Sequence, residues 1–459
     1  MLLNRTLFWI LLMLSFAPRP TSAQSTPDVE TLKGLAPVSV LLNSDRGKAA
    51  LTANYKVTGG IQAGTLKQPT LLPFSQQQEQ ALQDASITDV DLAQLADGLG
   101  TTLAAAYTAR FHYLDPKHAS PMPASILNLI RYADAISGAH SNAAKYFFAN
   151  GTTEGKTRVP AELLSITEKI SGTQDIFGKA YNLPAGAPGA GAYGDSRPVQ
   201  TENNYLSFSG TDYFSNVAGD DVYNRGPRMD LTNSPSYPSG HTTYGYTGAV
   251  LLAVLVPERY PQMIVRGAEY GNDRILMGSH YAMDVLGGKT LALYDMAHLL
   301  ANDPAYMGLS VRGATSITDF QSALRKARSE LISILEAACG QSVDQCAKED
   351  LGRFSKDEPD GAFYDATQTY DLGVVYPKTQ ATKEDVGNLA PEAGYLLTIA
   401  FPELVLDQAD KILTETEGPG GGFLDNGSSF GVYSRLNLYA AAQRLAKAPD
   451  NHRKMDSQQ

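Results

Sequence analysis

Ala249-Val250-Leu251-Leu252-Ala253-Val254-Leu255-Val256 is an unbroken apolar run, and Pro257 stops it. Upstream, Pro238-Ser239-Gly240 reads as a helix start, so 241–256 is expected to form one helix with a turn-forming entry and a proline exit. The run falls short of the ~18 to 20 apolar residues that cross a bilayer. No segment after residue 23 reaches that length. A second helix start is marked by Gly278-Ser279, with Ala282, Val285, Leu286, Leu291, Leu293 and Leu299 as apolar positions along the helix it opens. Chains with such segments build helical cores.

Both helix starts carry chemistry. His241 follows Pro238-Ser239-Gly240, and 32 residues later come Asp273-Arg274, then His280 and Asp284. A helix N-terminus offers unpaired N–H groups and the positive end of the helix dipole to a phosphate. Gly240 lets the backbone approach the oxygens with no side chain in the way. Phosphoryl transfer needs fixed positive charge more than covalent machinery. Arg274 supplies a permanently charged planar fork, and Arg197, in Gly194-Asp195-Ser196-Arg197-Pro198, is a second. Of two histidines, one can attack phosphorus while the other protonates the departing oxygen. His280 and Asp284 stand at i and i+4, a spacing that places carboxylate and imidazole on one helix face.

These residues resemble the type 2 phosphatidic acid phosphatase and vanadium haloperoxidase superfamily, in particular its soluble bacterial class A-like acid phosphatases. The family signature runs K-x6-R-P, P-S-G-H, then S-R-x5-H-x3-D. Pro238 to His241 match the second part in full. Arg274, His280 and Asp284 match the third, with Asp273 in place of the leading Ser. Arg197-Pro198 match the end of the first, but Ala190 stands where the family has Lys. Lys179 lies 18 residues before Arg197 and reads as a solvated surface Lys; Arg225 and Arg228 are cations nearer the second motif, and neither precedes Pro. The specific match covers roughly residues 160–300.

The resemblance implies an all-α helical bundle in which the motif segments converge. It implies a phosphomonoester hydrolase with a phosphohistidine intermediate. His280 would attack phosphorus, Asp284 would orient it, and His241 would protonate the leaving alcohol. Arg197, Arg274 and the backbone of Ser239 and Gly240 would hold the phosphate oxygens. No cofactor or metal is implied, and the substrates would be small phosphomonoesters. Two other readings share these residues: a vanadium-dependent haloperoxidase, with vanadate as cofactor on the same site, and a non-catalytic phosphate-binding protein, for which the absent Lys and Asp273 speak.

The remaining sequence frames this centre. Residues 1–23 combine Arg5, an apolar core from Leu7 to Leu14 and Thr21-Ser22-Ala23, the pattern of a secretory signal peptide. Cleavage near Ala23 would remove Arg5 and Arg19, taking the net charge from −11 to −13, and would deliver the chain to the periplasm or the medium. An acidic chain without a basic cluster argues against nucleic acid as a partner. Cys339 and Cys346 are the only cysteines, and in an exported chain they are expected to form a disulfide.

Four regions are expected. These are the signal peptide at 1–23, an irregular N-terminal extension at 24–74, a helical domain at 75–304 and a helical C-terminal extension at 305–459. Helices are expected within 75–109, 124–135, 161–171, 318–338, 383–416 and 433–447. Asp357 to Asp371 and the glycine run 418–422 read as turn-rich, the latter as a flexible connector because it lacks the Gly-Lys-Ser/Thr ending of a nucleotide loop. Arg435-Leu436-Asn437-Leu438 is similar to the tail of long exported acid phosphatases. His112, His118, His140, His298 and His452 have no motif context and read as structural or exposed.

Overall fold

The computed structural model describes residues 29–65, 70–85, 91–115, 118–169, 172–187, 191–201, 207–219, 234–349 and 352–447. The expected signal peptide at 1–23, Ala190, Arg225, Arg228 and His452 lie outside these residues. The molecule is mostly helical, as expected, and among the described residues the strands form two small antiparallel hairpins: β1 (Tyr113–Asp115) with β2 (His118–Ala119), and β3 (Ser209–Thr211) with β4 (Val217–Gly219).

The N-terminal extension departs from the irregular structure expected of it. It folds as α1 (Val29–Leu35), a 3-10 turn (Ala36–Asn43) and α2 (Asp45–Gln62). Its short apolar runs are helix faces: Leu32, Leu35, Val38 and Leu41 are buried. Pro37 sits in the opening turn of the 3-10 segment, where its missing N–H costs nothing. Ser44 caps α2 by accepting from the Gly47 N–H.

Next in the chain are α3 (Phe74–Gln83), α4 (Thr101–Arg110), α5 (Ala124–Asn150), α6 (Ala161–Lys169), α7 (Ile176–Ala180) and the short α8 (Pro198–Thr201). The centre is α9 (Gly240–Leu255), α10 (Tyr260–Leu276) and α11 (Ala282–Leu300). Every residue of α9 from His241 onward is buried, because α10, α11 and α5 pack around it. Each fully buried Leu or Val there stabilises the fold by roughly 1.5 to 3 kcal/mol.

Two glycines set how closely these helices approach. A Cβ on Gly245 of α9 would stand 2.4 Å from the ring of Tyr270 on α10. One on Gly288 of α11 would stand 2.5 Å from the Ser239 carbonyl oxygen at the start of α9. The Ser239 N–H also donates to the Asp284 carbonyl at 3.0 Å. The two chemistry-bearing helix starts are therefore held together by backbone contact.

In the C-terminal extension come α12 (Phe320–Cys339), α13 (Val343–Glu349) and α14 (Asp357–Thr369), with shorter helices beyond. Cys339 and Cys346 form a disulfide between α12 and α13. Asp357 to Thr369 is helix where turns were expected: Asp357, Glu358 and Asp360 lie in its first turn, favoured by the dipole, and Phe363, Tyr364 and Thr367 are buried. The glycine run is not a loose connector. Val375 and Tyr376 donate to the Gly421 carbonyl, and a Cβ on Gly420 would meet Arg435 at 2.9 Å. Arg435 itself pairs with Glu417 at 2.9 Å. Among the described residues no helix is long and apolar enough to cross a membrane.

Candidate active site

The start of α9 is built by Ser239. Its side-chain oxygen accepts from the Thr242 N–H at 3.2 Å and from the Thr242 hydroxyl at 2.9 Å, closing the helix end. Its own N–H is spent on Asp284, so the free donors at this terminus belong to the next residues. Gly240 and His241, in the first turn, have no acceptor within the helix.

His241 is buried. Its Nε2 lies 3.2 Å from the Ala85 carbonyl oxygen, just past α3. A carbonyl only accepts, so Nε2 carries the proton and the neutral ring keeps its lone pair on Nδ1. That Nδ1 is buried and has no hydrogen-bond partner among the described residues. Burial, then the positive charges of Arg274, Lys145 and Arg197, hold the imidazole well below its usual range.

His280 has the opposite arrangement. Its Nε2 lies 3.0 Å from Nη1 of Arg197, and guanidinium only donates. The proton therefore sits on Nδ1, which donates to Asp284 Oδ2 at 3.2 Å. The structure corrects one detail: α11 begins at Ala282, so His280 precedes the helix instead of sharing its face with Asp284. Asp284, three residues into the turn, accepts from the Tyr281 N–H at 2.8 Å and from the Ser236 hydroxyl. It is both helix cap and imidazole anchor. Burial pushes its carboxyl up to about 7, against the Ser236 hydroxyl, the Tyr281 N–H, Arg197 and Lys145. Burial, together with Arg197, Lys145, His241 and Arg274, keeps His280 well below its usual range.

Arg197 is buried and its fork is aimed by carbonyls. Nε donates to Ser234, Nη1 to Ser279 and Nη2 to Pro235, at 2.9, 2.7 and 3.0 Å. Burial lowers it to about 10, which leaves it charged at neutral pH. Arg274, at the end of α10, donates through Nη2 to the Ala81 carbonyl at 3.2 Å and lies 5.3 Å from the Tyr270 ring centre. Its Nε has no partner among the described residues.

Asp273 beside it accepts from Gln77 Nε2 at 2.9 Å. Burial and the neighbouring Asp84 and Glu269 push it well above the carboxylate range, toward the uncharged form. The structure thus gathers His241, His280, Asp284, Arg197, Arg274, Ser239 and Gly240 around the adjoining starts of α9 and α11. Lys179 is not among them: it is exposed and donates to the Gln174 carbonyl at 2.7 Å.

Several members escaped the sequence. Ser236 and the Ala85 carbonyl carry no pattern at all. Lys145 and Ser141, on α5, do: with Ser137, which accepts from the Thr247 hydroxyl of α9, they form a buried polar row at i, i+4 and i+8.

Comparison with known proteins falls on the same part of the chain. Residues 192–301 match the model of the PAP2 superfamily. The chain is 40% identical over 72 residues to an acid phosphatase of Zymomonas mobilis, which is 16% of this chain and 27% of that protein. It is 35% identical over 101 residues to a non-specific acid phosphatase of Salmonella typhimurium, 22% of this chain and 34% of the other. A non-specific acid phosphatase of Providencia stuartii is 31% identical over 104 residues, 23% and 36% of the two chains. The chain spans about a third of the length of the curated relatives it matches. The likeness to the PAP2 superfamily thus rests on residues 192–301 and the site that segment carries.

Proposed function

We propose that this protein is an exported phosphomonoester hydrolase, an acid phosphatase that works through a phosphohistidine without a metal. The observation that carries the proposal is the pair of opposed tautomers. His280 holds a lone pair on Nε2 beside Arg197, and His241 holds one on the unpartnered Nδ1. One imidazole is set to attack and the other to move a proton.

The steps are dictated by those atoms. A phosphomonoester displaces the Arg197 Nη1 contact, so that the guanidinium binds phosphate oxygens while Nε2 faces phosphorus. Nε2 attacks, the bond from phosphorus to the ester oxygen breaks, and His241, protonated at Nδ1 as the anionic substrate enters, gives that proton to the leaving oxygen. Asp284 steadies the positive charge that develops on His280. Water then attacks phosphorus and loses a proton to His241 Nδ1. The P–N bond breaks, its electron pair returns to His280, and phosphate leaves. Arg197, Arg274 and the Gly240 and His241 N–H groups stabilise the charge on the transferring group.

The acid phosphatases of Zymomonas, Salmonella and Providencia support this reading over the haloperoxidase and binding-protein alternatives. The test is turnover of a chromogenic phosphomonoester from pH 4 to 8, with and without chelator and vanadate. The expected result is chelator-resistant, vanadate-inhibited hydrolysis that disappears in His280→Ala. An alkali-stable, acid-labile phosphoryl label should accumulate in His241→Ala. Peroxide-dependent bromination after vanadate loading, without hydrolysis, would refute the proposal, as would phosphate binding with no turnover.

A further inference from the structure

Lys145 projects from α5, 52 residues before Arg197 in the chain. It is 2% exposed, and Ser141, one turn earlier on the same face, is 1% exposed. A Cβ on Gly240 would stand 3.6 Å from Lys145 Cε, 3.6 Å from Lys145 Nζ and 3.6 Å from Ser141 Oγ. Both polar groups therefore flank the residue that opens α9. Ser141 Oγ has no hydrogen-bond partner among the described residues, and no carboxylate there forms an ion pair with Lys145.

We propose that Lys145 and Ser141 are phosphate-binding residues: α5 supplies the cation that the sequence lacks seven residues before Arg197, where Ala190 stands. The inference rests on the hydrolase reading for its ligand and on the α5 geometry for its residues. A lysine buried without a carboxylate partner is held at a cost, since desolvation opposes its charge. Here burial and Arg197 both oppose it, and Asp284 offsets them only in part. Such a position suits an anionic ligand, whose charge supplies what the resting site does not. Lys145 also acts on His241, His280 and Asp284. One ammonium thus lies within electrostatic reach of the attacking group, the proton carrier and their anchor. With Arg197 on one side and Arg274 on another, the dipole of α9 and Lys145 complete a positive enclosure. The Ser141 hydroxyl would donate to a phosphate oxygen.

The test uses the full-length protein with inorganic phosphate as the calorimetric probe and a chromogenic phosphomonoester for turnover. In Lys145→Met, which keeps the side chain's length, the phosphate Kd should rise at least about tenfold, the order expected for a lost charge-assisted contact. Ser141→Ala should give a smaller rise. The melting temperature of Lys145→Met should stay level or increase, because a desolvated charge has been removed.

A merely structural Lys145 predicts the opposite, a lower melting temperature with phosphate affinity retained in the folded fraction. That result would overturn the inference. If wild type binds phosphate in a Lys145-dependent manner without hydrolysing the ester, the hydrolase reading fails and this one stands. Hydrolysis and phosphate binding that Lys145→Met leaves intact would do the reverse. A wild type that binds no phosphate would end both.

Discussion

His241 and His280 keep their protons on opposite nitrogens because one faces a carbonyl and the other an arginine. Both are buried among cations, and both stay neutral well below the usual imidazole range. In the unfolded chain they would titrate near ~6.5. The unfolded state therefore binds more protons than the folded one as the pH drops through that value. Their contribution to stability is complete above it and lost on acidification. Asp284, raised to about 7, acts in the other direction: its contribution is present in acid and fades as the pH rises through 7. A His241→Asn variant should accordingly lose less melting temperature than wild type between pH 7.5 and pH 5. An equally steep decline would show that His241 is not held neutral. Asp284→Asn should reduce kcat about a hundredfold or more, by analogy with carboxylates that orient a catalytic imidazole, with KM less affected. The motif residues were legible because their spacing is local to two helix starts. Lys145, Ser141 and the Ala85 carbonyl were not, since they arrive from α5 and the turn after α3 and only packing brings them to His241.

At the scale of elements, the site depends on α9 and α11 touching at their first turns. The Ser239 N–H bonds to the Asp284 carbonyl, and Gly288 leaves room for the Ser239 carbonyl. A methyl at position 288 would meet backbone at 2.5 Å, and backbone cannot turn aside as a side chain does. Gly288→Ala should cost about 1 to 3 kcal/mol of stability, as overpacking usually does. It should also depress kcat beyond what the unfolded fraction explains, because the displaced α11 carries Asp284 and drags His280 with it. Paired melts and turnover on the same sample would check this; activity falling only in step with unfolding would place the strain elsewhere. The boundaries of α9 were readable from Pro238-Ser239-Gly240 and Pro257. Those of α11 were misread by a few residues because Gly278 and Ser279 mark the end of α10 as well as the approach to the next helix. Residues 29–62 looked irregular because their apolar positions come in short clusters, each of which meets a different neighbour.

For the molecule as a whole, the C-terminal extension is joined to the helical core that carries the candidate site through buried charge. Behind Arg274 lie Asp84, Glu269 and Asp273, all buried, with the part-exposed Asp97 at their edge. Arg266 from α10 pairs with Asp84 and Asp97 at 2.7 Å. Arg353, in the segment leading to α14, closes the cluster by reaching Glu269 and Asp97. Gln77 connects Glu269 to Asp273 at 3.2 and 2.9 Å, so three successive contacts lead from Arg353 to Asp273, the residue beside Arg274. No sequence pattern announces this, because Arg353 is an isolated arginine in a polar stretch and its two partners lie on separate elements, Glu269 on α10 and Asp97 in the 3-10 turn Ala93–Leu99. Breaking a buried pair by removing one partner typically costs about 3 to 5 kcal/mol. Since Arg353 keeps a quarter of its side chain exposed, Arg353→Met should cost somewhat less, about 2 to 4 kcal/mol at neutral pH. The pH dependence gives the test its sign. Burial pushes Asp97 up, but Arg266 and Arg353 outweigh it and hold the carboxyl below its ordinary value. A depressed carboxylate contributes stability above its unfolded value near ~4 and loses it as the pH falls further. The gap in melting temperature between wild type and Arg353→Met should therefore be full near neutrality and narrow only as the pH falls below ~4. A gap independent of pH would mean that Arg353 supports the core by packing on Phe354, 4.2 Å from its guanidinium, and not by charge.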